Sequence, residues 1–195
     1  MAARKKQPEK TRQAILDAAG QCFGTQGYAA TGIGSIVDAA GLTKGALFHH
    51  FGDKRELAIA WIRDRLRHQV LQDWVEPLSG ISSLKELGSF WVSVCAKLAD
   101  GDSCTSTVAM AAEMAGRDKG MTEALEAVFH AWREGLRGML ERGQQEGWIH
   151  KSIQPDTEAG ILISMVAGLS VMQRCHGQQG LSASLVAYLE TLRPA

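Results

Sequence analysis

The residues best suited to recognition chemistry are concentrated near the amino terminus, in the segment Thr43–Lys54. Lys44 carries an ammonium group that can bind a phosphate or the edge of a guanine. Gly45 has no side chain, so backbone can approach a base closely there, and Ala46 can contact a thymine methyl group. Lys54 begins a predicted helix, where unpaired backbone N–H groups and a cation together suit a phosphate. The chemistry that this segment offers is contact with a nucleic acid.

Residues for catalysis or metal binding do not assemble in the same way. The adjacent His49 and His50 point about 100° apart on a helix, so they do not converge on one ion, and we predict neither a metal nor a cofactor. The chain contains no P-loop, no GxGxxG after a strand, no HExxH and no GxSxG. Asp100 and Asp102 are expected in a solvated polar loop. These observations predict a protein that is not an enzyme.

Charge is divided unevenly along the 195 residues, although the formal net charge is zero. Residues 1–55 carry eight Lys or Arg and four Asp or Glu, whereas residues 56–195 carry 13 basic and 17 acidic residues. A basic head on an acidic body favours a polyanionic partner for the head. The longest uncharged stretch of the carboxyl-terminal half, residues 159–173, is shorter than the roughly 18 apolar residues of a membrane span. Because no apolar run follows the basic start and the four cysteines are widely spaced, we expect a cytoplasmic protein without membrane contact.

Helical periodicity runs along almost the whole chain, while alternating β-branched runs are nearly absent. We therefore predict an all-α fold of about nine helices. The spacing predicts one short helix from about Ile33 to Ala39 with Thr31 as its N-cap, and another from about Lys44 to His50 capped by Thr43. A long helix from Lys54 to about Trp74 is predicted to follow.

The two short helices flank a tight turn at residues 40–42, which is the pattern of a helix-turn-helix at about residues 32–51. A seven-residue helix is about 10 Å long at 1.5 Å per residue. A major groove about 12 Å wide admits such a helix. The segment therefore has the dimensions of a DNA-reading element.

Residues 10–60 resemble the DNA-binding domain of the TetR family of bacterial transcriptional regulators. That family ends its first helix with Phe-x-x-x-Gly-Tyr, here residues 23–28, and continues with a Thr and then Ile-x-x-x-Ala-Gly, here residues 36–41. Its recognition helix reads roughly Ser-Lys-Gly-x-Leu-Tyr-x-His-Phe, here residues 43–51. The resemblance implies a three-helix DNA-binding domain over residues 1–53 and a helical effector-binding and dimerisation domain over residues 54–195.

The resemblance also implies roles for single residues at the DNA. Lys44, Gly45 and Ala46 face bases or nearby backbone, while His50, Lys54 and the N-cap region of the second helix hold phosphates. The predicted DNA-contacting set is Thr31, Gly32, Ile33, Gly34, Thr43, Lys44, Gly45, Ala46, Phe48, His49, His50 and Lys54.

Two positions depart from the family pattern. Phe48 stands where the family usually has a Tyr whose hydroxyl contacts phosphate, so that contact is either lost or replaced by packing of the ring on a sugar. Gly32 stands where a Thr is common, which removes another phosphate donor.

The carboxyl-terminal helices are predicted to pair two copies of the chain. Residues 159–173 are apolar nearly all round and include several small residues, so neighbouring helices must cover them on every side. Together with the apolar stripe of residues 185–192, they suit a four-helix bundle formed by a twofold homodimer. The resemblance implies the same arrangement. The alternative is that both helices only close the core of one chain.

The middle helices are rich in methionine and aromatic residues at helical spacing, which indicates either plain core or the lining of an effector site. The resemblance favours an effector site, and such a lining suits a hydrophobic or aromatic small molecule. Its predicted lining is Trp61, Trp91, Cys95, Met110, Met114, Phe129, Trp132 and Met165. Polar groups expected to orient the ligand are Ser93, Thr107, Glu113, His130 and Gln173. Cys104, at the start of a predicted helix, is either a reactive sensor thiol or an unreactive small residue.

Taken together, these patterns predict a ligand-responsive, sequence-specific DNA-binding regulator, a repressor that a small hydrophobic effector releases from a palindromic operator. The alternative is a helical interaction or scaffold module that does not bind DNA. Salt-dependent affinity for DNA distinguishes the two, because phosphate contacts displace counterions.

Overall fold

The computed structural model describes residues 2–98, 103–176 and 181–194. The predicted polar loop containing Asp100 and Asp102 lies outside these residues. The side chains of Cys95 and Gln173 also lie outside the described part of the chain, so their predicted roles at an effector site stay predictions.

The first half of the chain begins with four helices joined by short turns. They are α1 (Ala2–Gln26), α2 (Ile33–Ala40), α3 (Lys44–His50) and α4 (Lys54–Trp61). Helix α4 continues through a π-helical segment, Ile62–Leu66, into α5 (Arg67–Val70), a second π-helical segment, Leu71–Val75, and a 3-10 turn, Glu76–Gly80. The long helix predicted from Lys54 to about Trp74 is thus confirmed, with two widened stretches that periodicity did not predict.

The second half contains five further helices. They are α6 (Leu84–Leu98), α7 (Ser103–Met114), α8 (Lys119–Glu146), α9 (Pro155–His176) and α10 (Leu181–Leu189), followed by the 3-10 turn Glu190–Leu192. If the run from α4 to Leu71–Val75 is counted as one helix, the described residues hold nine α-helices and no strand. The all-α prediction is therefore confirmed.

The chain divides into two compact units, and the first comprises Met1–His68 and Ala109–Val128. Helix α1 packs there against α2, α3 and α4. Each of these four helices contributes fully buried aliphatic side chains, because apolar residues recur on one face of each helix. They include Ile15, Leu16, Ile36, Leu47 and Leu57.

The second unit comprises Gln69–Val108 and Phe129–Ala195. Within it α10 packs against α6 and α9, and α6 packs against α9. Its core is built from large aromatic and aliphatic side chains that are almost completely buried, namely Trp74, Leu87, Trp91, Trp132, Leu136, Leu140, Leu162, Val166 and Leu185.

Of the two predicted helix caps, one is observed and the other is not. The Thr43 hydroxyl accepts the backbone N–H of Ala46 at the start of α3, and the prediction for Thr43 is confirmed. At α2 the N-cap is Gly32, with no side-chain cap hydrogen bond, so the prediction of Thr31 as the cap is wrong. Asp53 caps α4, since its carboxylate accepts the N–H of Glu56 at 2.7 Å.

Candidate nucleic-acid interface

Helix α3 presents four of the twelve predicted DNA-contacting residues on one exposed face. The side chains of Lys44, Phe48 and His49 are exposed, as are Thr43 and Gly45. Phe48 is 49% exposed, which is unusual for a large apolar ring on a small surface helix. A ring left in solvent at this place is available to contact a partner.

The opposite face of α3 anchors the helix to the first unit. Leu47 is fully buried and Phe51, just beyond the helix, is 5% exposed. The guanidinium of Arg12 lies over the Phe51 ring, 5.4 Å from its centroid. Ala46 and His50 are half-buried at the edge between the two faces. The i, i+4 spacing of the two buried residues thus fixes which side of α3 faces outwards.

The turn between α2 and α3 depends on a left-handed glycine. Gly41 has φ +63° and ψ +33°, a conformation that residues with a Cβ rarely adopt. Its N–H bonds to the carbonyl of Asp38, and the N–H of Leu42 bonds to the carbonyl of Val37 at 2.9 Å. These bonds end α2 abruptly and redirect the chain into α3 within three residues.

The start of α2 offers backbone rather than side-chain donors. Gly32 is exposed and Ile33 and Gly34 are half-buried, and the first N–H groups of a helix have no partner within it. Ser35, which is not in the predicted DNA-contacting set, is exposed in the same turn. Thr31 differs, because it is buried and its hydroxyl donates to the carbonyl of Gly27 at 2.6 Å. Its single hydroxyl proton is therefore committed within the protein rather than to a phosphate.

The ammonium of Lys54 also bonds within the first unit. It donates to the carbonyls of Tyr28 and Thr31, at 3.0 and 2.9 Å, and lies 4.4 Å from the centroid of the Tyr28 ring. Lys54 therefore ties α4 to the turn between α1 and α2. A contact of Lys54 with DNA phosphate stays a prediction, and it would be made beside these carbonyls.

A carboxylate accepts backbone N–H groups of the same turn, although the sequence predicts a different role for it. Glu113 of α7 accepts the backbone N–H groups of Tyr28 and Ala29, at 2.8 and 2.5 Å. The sequence predicts that Glu113 orients an effector, but its side chain bonds to the turn between α1 and α2, within the first unit. Gly27 (φ +81°) brings the backbone close to this carboxylate, since a Cβ there would lie 3.3 Å from Glu113 Oε2.

A second carboxylate joins residues 109–128 to α4. Asp118 accepts from Nε and Nη2 of Arg55, at 2.5 and 3.0 Å, and also caps α8 through the N–H of Met121. These bonds to the guanidinium and the helix start lower the pKa of the Asp118 carboxyl below its ordinary value. Gly120 completes the contact, because a Cβ at that residue would lie 2.9 Å from Ile59 Cδ1. No sequence signal linked Arg55 to Asp118, because the two residues of this ion pair are more than sixty positions apart.

The two histidines of α3 lie side by side without forming a metal site. The ring centroids of His49 and His50 are 5.3 Å apart and the ring planes are nearly perpendicular. Among the described residues, no group of three or more His, Cys, Asp or Glu side chains is arranged to hold an ion.

The predicted effector-lining residues are divided between the two units. Three of them belong to the first unit, Trp61, Met110 and Met114. Trp61 is 4% exposed and packs edge-on against Phe23, with 5.5 Å between ring centroids. It is thus part of the core that holds α1 against α4.

The remaining lining residues with described side chains lie in the second unit. Trp91 and Trp132 are fully buried, whereas Phe129 and Met165 are half-buried. Trp91 and Trp132 are brought together by Trp74, which the predicted lining did not include. Trp74 lies 5.9 Å from the Trp91 ring and 4.8 Å from the Trp132 ring, between centroids.

Cys104 is the second residue of α7, and it therefore lies at the start of a helix, as the sequence predicted. Its side chain is completely buried, and the choice between a sensor thiol and an unreactive residue stays open.

None of the helices in the described ranges is long and apolar enough to cross a membrane.

Two family models match most of the chain. The model described as "Bacterial regulatory proteins, tetR family" matches residues 15–61. The model described as "Tetracyclin repressor-like, C-terminal domain" matches residues 80–189. The first match contains α2, α3 and α4, and the second contains the Trp91 and Trp132 core.

Curated relatives resemble the chain over different lengths. The HTH-type transcriptional regulator LmrA of Bacillus subtilis is 30% identical over 177 residues, which cover 80% of this chain and 87% of that protein. The HTH-type transcriptional repressor AcnR of Corynebacterium efficiens is 42% identical over 57 residues. That alignment spans 29% of this chain and only 30% of the length of AcnR.

Solved structures share the whole architecture. The crystal structure of a TetR transcriptional regulator from Chloroflexus aurantiacus superposes with a TM-score of 0.83 at 25% sequence identity. The superposition covers 97% of this chain and all of the other. The helical order described above is therefore that of a known regulator fold.

Proposed function

Because this chain belongs to the TetR family of bacterial regulatory proteins, we propose that it is a transcriptional regulator that binds operator DNA through α3 and responds to a small molecule. The observation that carries the proposal is the two-sided character of α3. Lys44, Phe48 and His49 are exposed while Leu47 is fully buried, as a recognition helix requires.

At the DNA, we assign the amino-terminal end of α3 to the bases and the start of α2 to the backbone. Lys44 and the bare backbone of Gly45 reach base edges or adjacent phosphates, and Phe48 packs on a sugar or a thymine methyl. The free N–H groups of Gly34 and Ser35 suit a phosphate, because helix starts attract anions.

Since the operator is in the cytoplasm of a bacterium, we place the protein there.

We assign dimerisation to α9 and α10, as the sequence predicted. The buried face of α9 contains Leu162 and Val166, while its opposite face leaves apolar and small side chains in solvent. This outer face follows helical spacing and carries no charge; its exposed members are Ile161, Ser164, Gly168, Val171 and Met172, with the half-buried Met165 at its edge. An uncharged helical face of this kind is best covered by the same face of a second copy.

We keep residues 1–53 as the DNA-binding domain and residues 54–195 as the effector-binding and dimerisation domain. A ligand held by the second unit would displace the helical run that begins at Lys54 and thereby change the separation of the two α3 helices in a dimer. The affinities for ligand and operator are then coupled reciprocally. Release of a repressor from a palindromic operator is the response that we propose.

The proposal is tested by replacing Lys44 with alanine and measuring binding to operators selected from random DNA. A base or phosphate contact of this kind contributes about 1–3 kcal/mol, so we expect an affinity loss of roughly tenfold or more and a salt slope that is smaller by about one. Lys151→Ala is the matched control, since Lys151 is exposed outside the first unit. Unchanged operator binding by Lys44→Ala would contradict the placement of the recognition helix. A complete lack of salt-dependent DNA binding by the unaltered chain would favour a scaffold module.

A further inference from the structure

Three tryptophans in the core of the second unit have buried indole N–H groups without an acceptor among the described residues. The side chains of Trp74, Trp91 and Trp132 are at most 1% exposed. Their Nε1 atoms are inaccessible to solvent and make no hydrogen bond within the part of the chain that the structure describes. Trp148 shows the usual arrangement, because its Nε1 donates to Glu146 Oε2 at 2.9 Å.

Three orphaned donors in one cluster require an explanation. A buried indole N–H normally finds a partner, because leaving it unpaired forfeits the hydrogen bond that it makes with water in the unfolded chain. Phenylalanine would also supply an apolar ring, although a smaller one, without that cost. The Trp74 and Trp132 rings meet edge to face at 61°, whereas the Trp74 and Trp91 rings are tilted by 56°. A contact of an N–H with a neighbouring π system would recover only part of the loss.

The three donors come from three separate helices. Trp74 lies in the π-helical segment Leu71–Val75, Trp91 in α6 and Trp132 in α8. Isolated π-helical turns are frequent at functional sites. A molecule that bonds to these donors therefore contacts all three elements at once and changes their spacing when it separates the rings.

The cluster also defines the charge of the molecule that it would accept. Among the described residues, no Lys, Arg or His is buried, so a carboxylate in this core would have no cationic partner. A cation could lie against the ring faces but would leave the three N–H groups unpaired. The donors are satisfied by uncharged oxygen acceptors on an otherwise apolar, flat molecule.

We propose that the indole N–H groups of Trp74, Trp91 and Trp132 are the polar contacts of the effector site, and that the effector is a neutral planar molecule with carbonyl or ether oxygens. This inference rests on the proposed effector response and specifies the chemistry of its ligand. The ligand enters by separating Trp74 from its two neighbours, so that its acceptor oxygens reach the unpaired N–H groups.

The test compares two flat probes that differ in a single acceptor, 9-fluorenone and fluorene, by calorimetric titration of the full chain. One hydrogen bond to a buried donor contributes about 1 kcal/mol, so fluorenone should bind the unaltered protein roughly five- to tenfold more tightly than fluorene. Trp74→Phe, Trp91→Phe and Trp132→Phe keep a ring but lack the donor, and at least one of them should lose the preference for fluorenone. The matched control Trp148→Phe should keep that preference.

Several results would overturn the inference. In the first two, the unaltered protein does not bind fluorenone, or it binds fluorenone and fluorene equally. The third refuting result is a preference for fluorenone that survives in each of the variants Trp74→Phe, Trp91→Phe and Trp132→Phe. Tighter binding of the flat cation N-methylacridinium would show a cation-binding cage instead. The comparison of the two probes on the unaltered chain does not depend on how well any variant folds.

A mobility-shift assay with a selected operator separates this inference from the proposed function. Operator binding without fluorenone binding would refute the tryptophan site and leave the DNA-binding function standing. Fluorenone binding with the expected preference, but without an effect on operator affinity, would support the site and refute its role in the response.

Discussion

At the scale of single residues, the turn between α1 and α2 is held from both sides by opposite charges. The carboxylate of Glu113 accepts the N–H groups of Tyr28 and Ala29, and the ammonium of Lys54 donates to the carbonyls of Tyr28 and Thr31. Charge-assisted hydrogen bonds of this kind are stronger than neutral ones. The turn directly precedes the start of α2, so these two side chains fix where the proposed phosphate donors lie.

Removal of the Glu113 carboxylate should therefore destabilise the first unit. Glu113→Ala leaves two backbone N–H groups unpaired, and we expect a loss of about 1–3 kcal/mol in the free energy of unfolding, measured with urea. Glu113→Gln keeps one acceptor and should fall between this variant and the unaltered protein. Glu126→Ala, at an exposed site on α8, is the control. Equal stability of Glu113→Ala and Glu126→Ala would show that the contact contributes nothing.

A tyrosine of the second unit predicts how stability depends on alkaline pH. Burial, followed by the hydrogen bond that it donates to Glu158 Oε1 at 2.7 Å, raises the pKa of Tyr188 to about 12. Because the folded state holds this proton more tightly than the unfolded chain, the stabilisation is complete below about pH 10. It is lost as the pH rises from about 10 to about 12.

The chain has only two tyrosines, so Tyr28→Phe isolates the titration of Tyr188 in the tyrosinate absorbance. We expect a midpoint near pH 12, and Tyr188→Phe should remove the corresponding decrease in stability above pH 10. A midpoint near 10 in the folded Tyr28→Phe variant would contradict both the burial of the Tyr188 hydroxyl and its hydrogen bond to Glu158.

At the scale of helices, two glycines of α8 allow a matched test of close packing. A Cβ at Gly135 would lie 2.5 Å from Val75 Cγ1, whereas a Cβ at Gly138 would meet nothing within 4 Å. Gly135→Ala should cost about 1–3 kcal/mol in thermal or urea unfolding, because Val75 must move. Gly138→Ala should stabilise the protein by up to about 1 kcal/mol, since alanine favours a helix. If both variants gain stability, α8 does not approach Val75 closely.

The helices themselves could largely be predicted from the sequence, because their apolar residues repeat on one face and their ends carry recognisable residues. Thr43 is a cap that the pattern found correctly. Thr31 misled the prediction, since its hydroxyl turns back to Gly27 and leaves Gly32 as the cap. Periodicity could not separate the π-helical segments from ordinary helix, because a single widened turn shifts the apolar stripe by only one residue.

Contacts between distant helices could not be predicted in the same way. Trp74, Trp91 and Trp132 were all recognisable as apolar helix positions, but nothing in their spacing indicates which helices meet. Glu113 was recognised as a polar residue in an apolar helix, and its true partners lie 84 and 85 positions away. Such contacts depend on the packing of the whole unit, which no local pattern encodes.

At the scale of the whole molecule, the proposed dimer depends on the uncharged outer face of α9. Val171→Glu places a charge in that face and should shift the protein from dimer to monomer in sedimentation velocity. The control is Val92→Glu, because Val92 lies on α6 and is 48% exposed, close to the 53% of Val171. Val92→Glu should stay dimeric. A dimer of unchanged strength in Val171→Glu would place the interface elsewhere.

The central claim is that two paired copies insert their α3 helices into successive major grooves of one operator. Hydroxyl-radical footprinting on a selected operator tests it most directly. The account predicts two protected half-sites related by twofold symmetry and centred about 34–36 Å apart, which is one helical turn of DNA. At the lowest protein concentration that protects both half-sites with the unaltered chain, Lys44→Ala should protect neither. A single unsymmetric footprint, or two half-sites that persist in Lys44→Ala at that concentration, would contradict it.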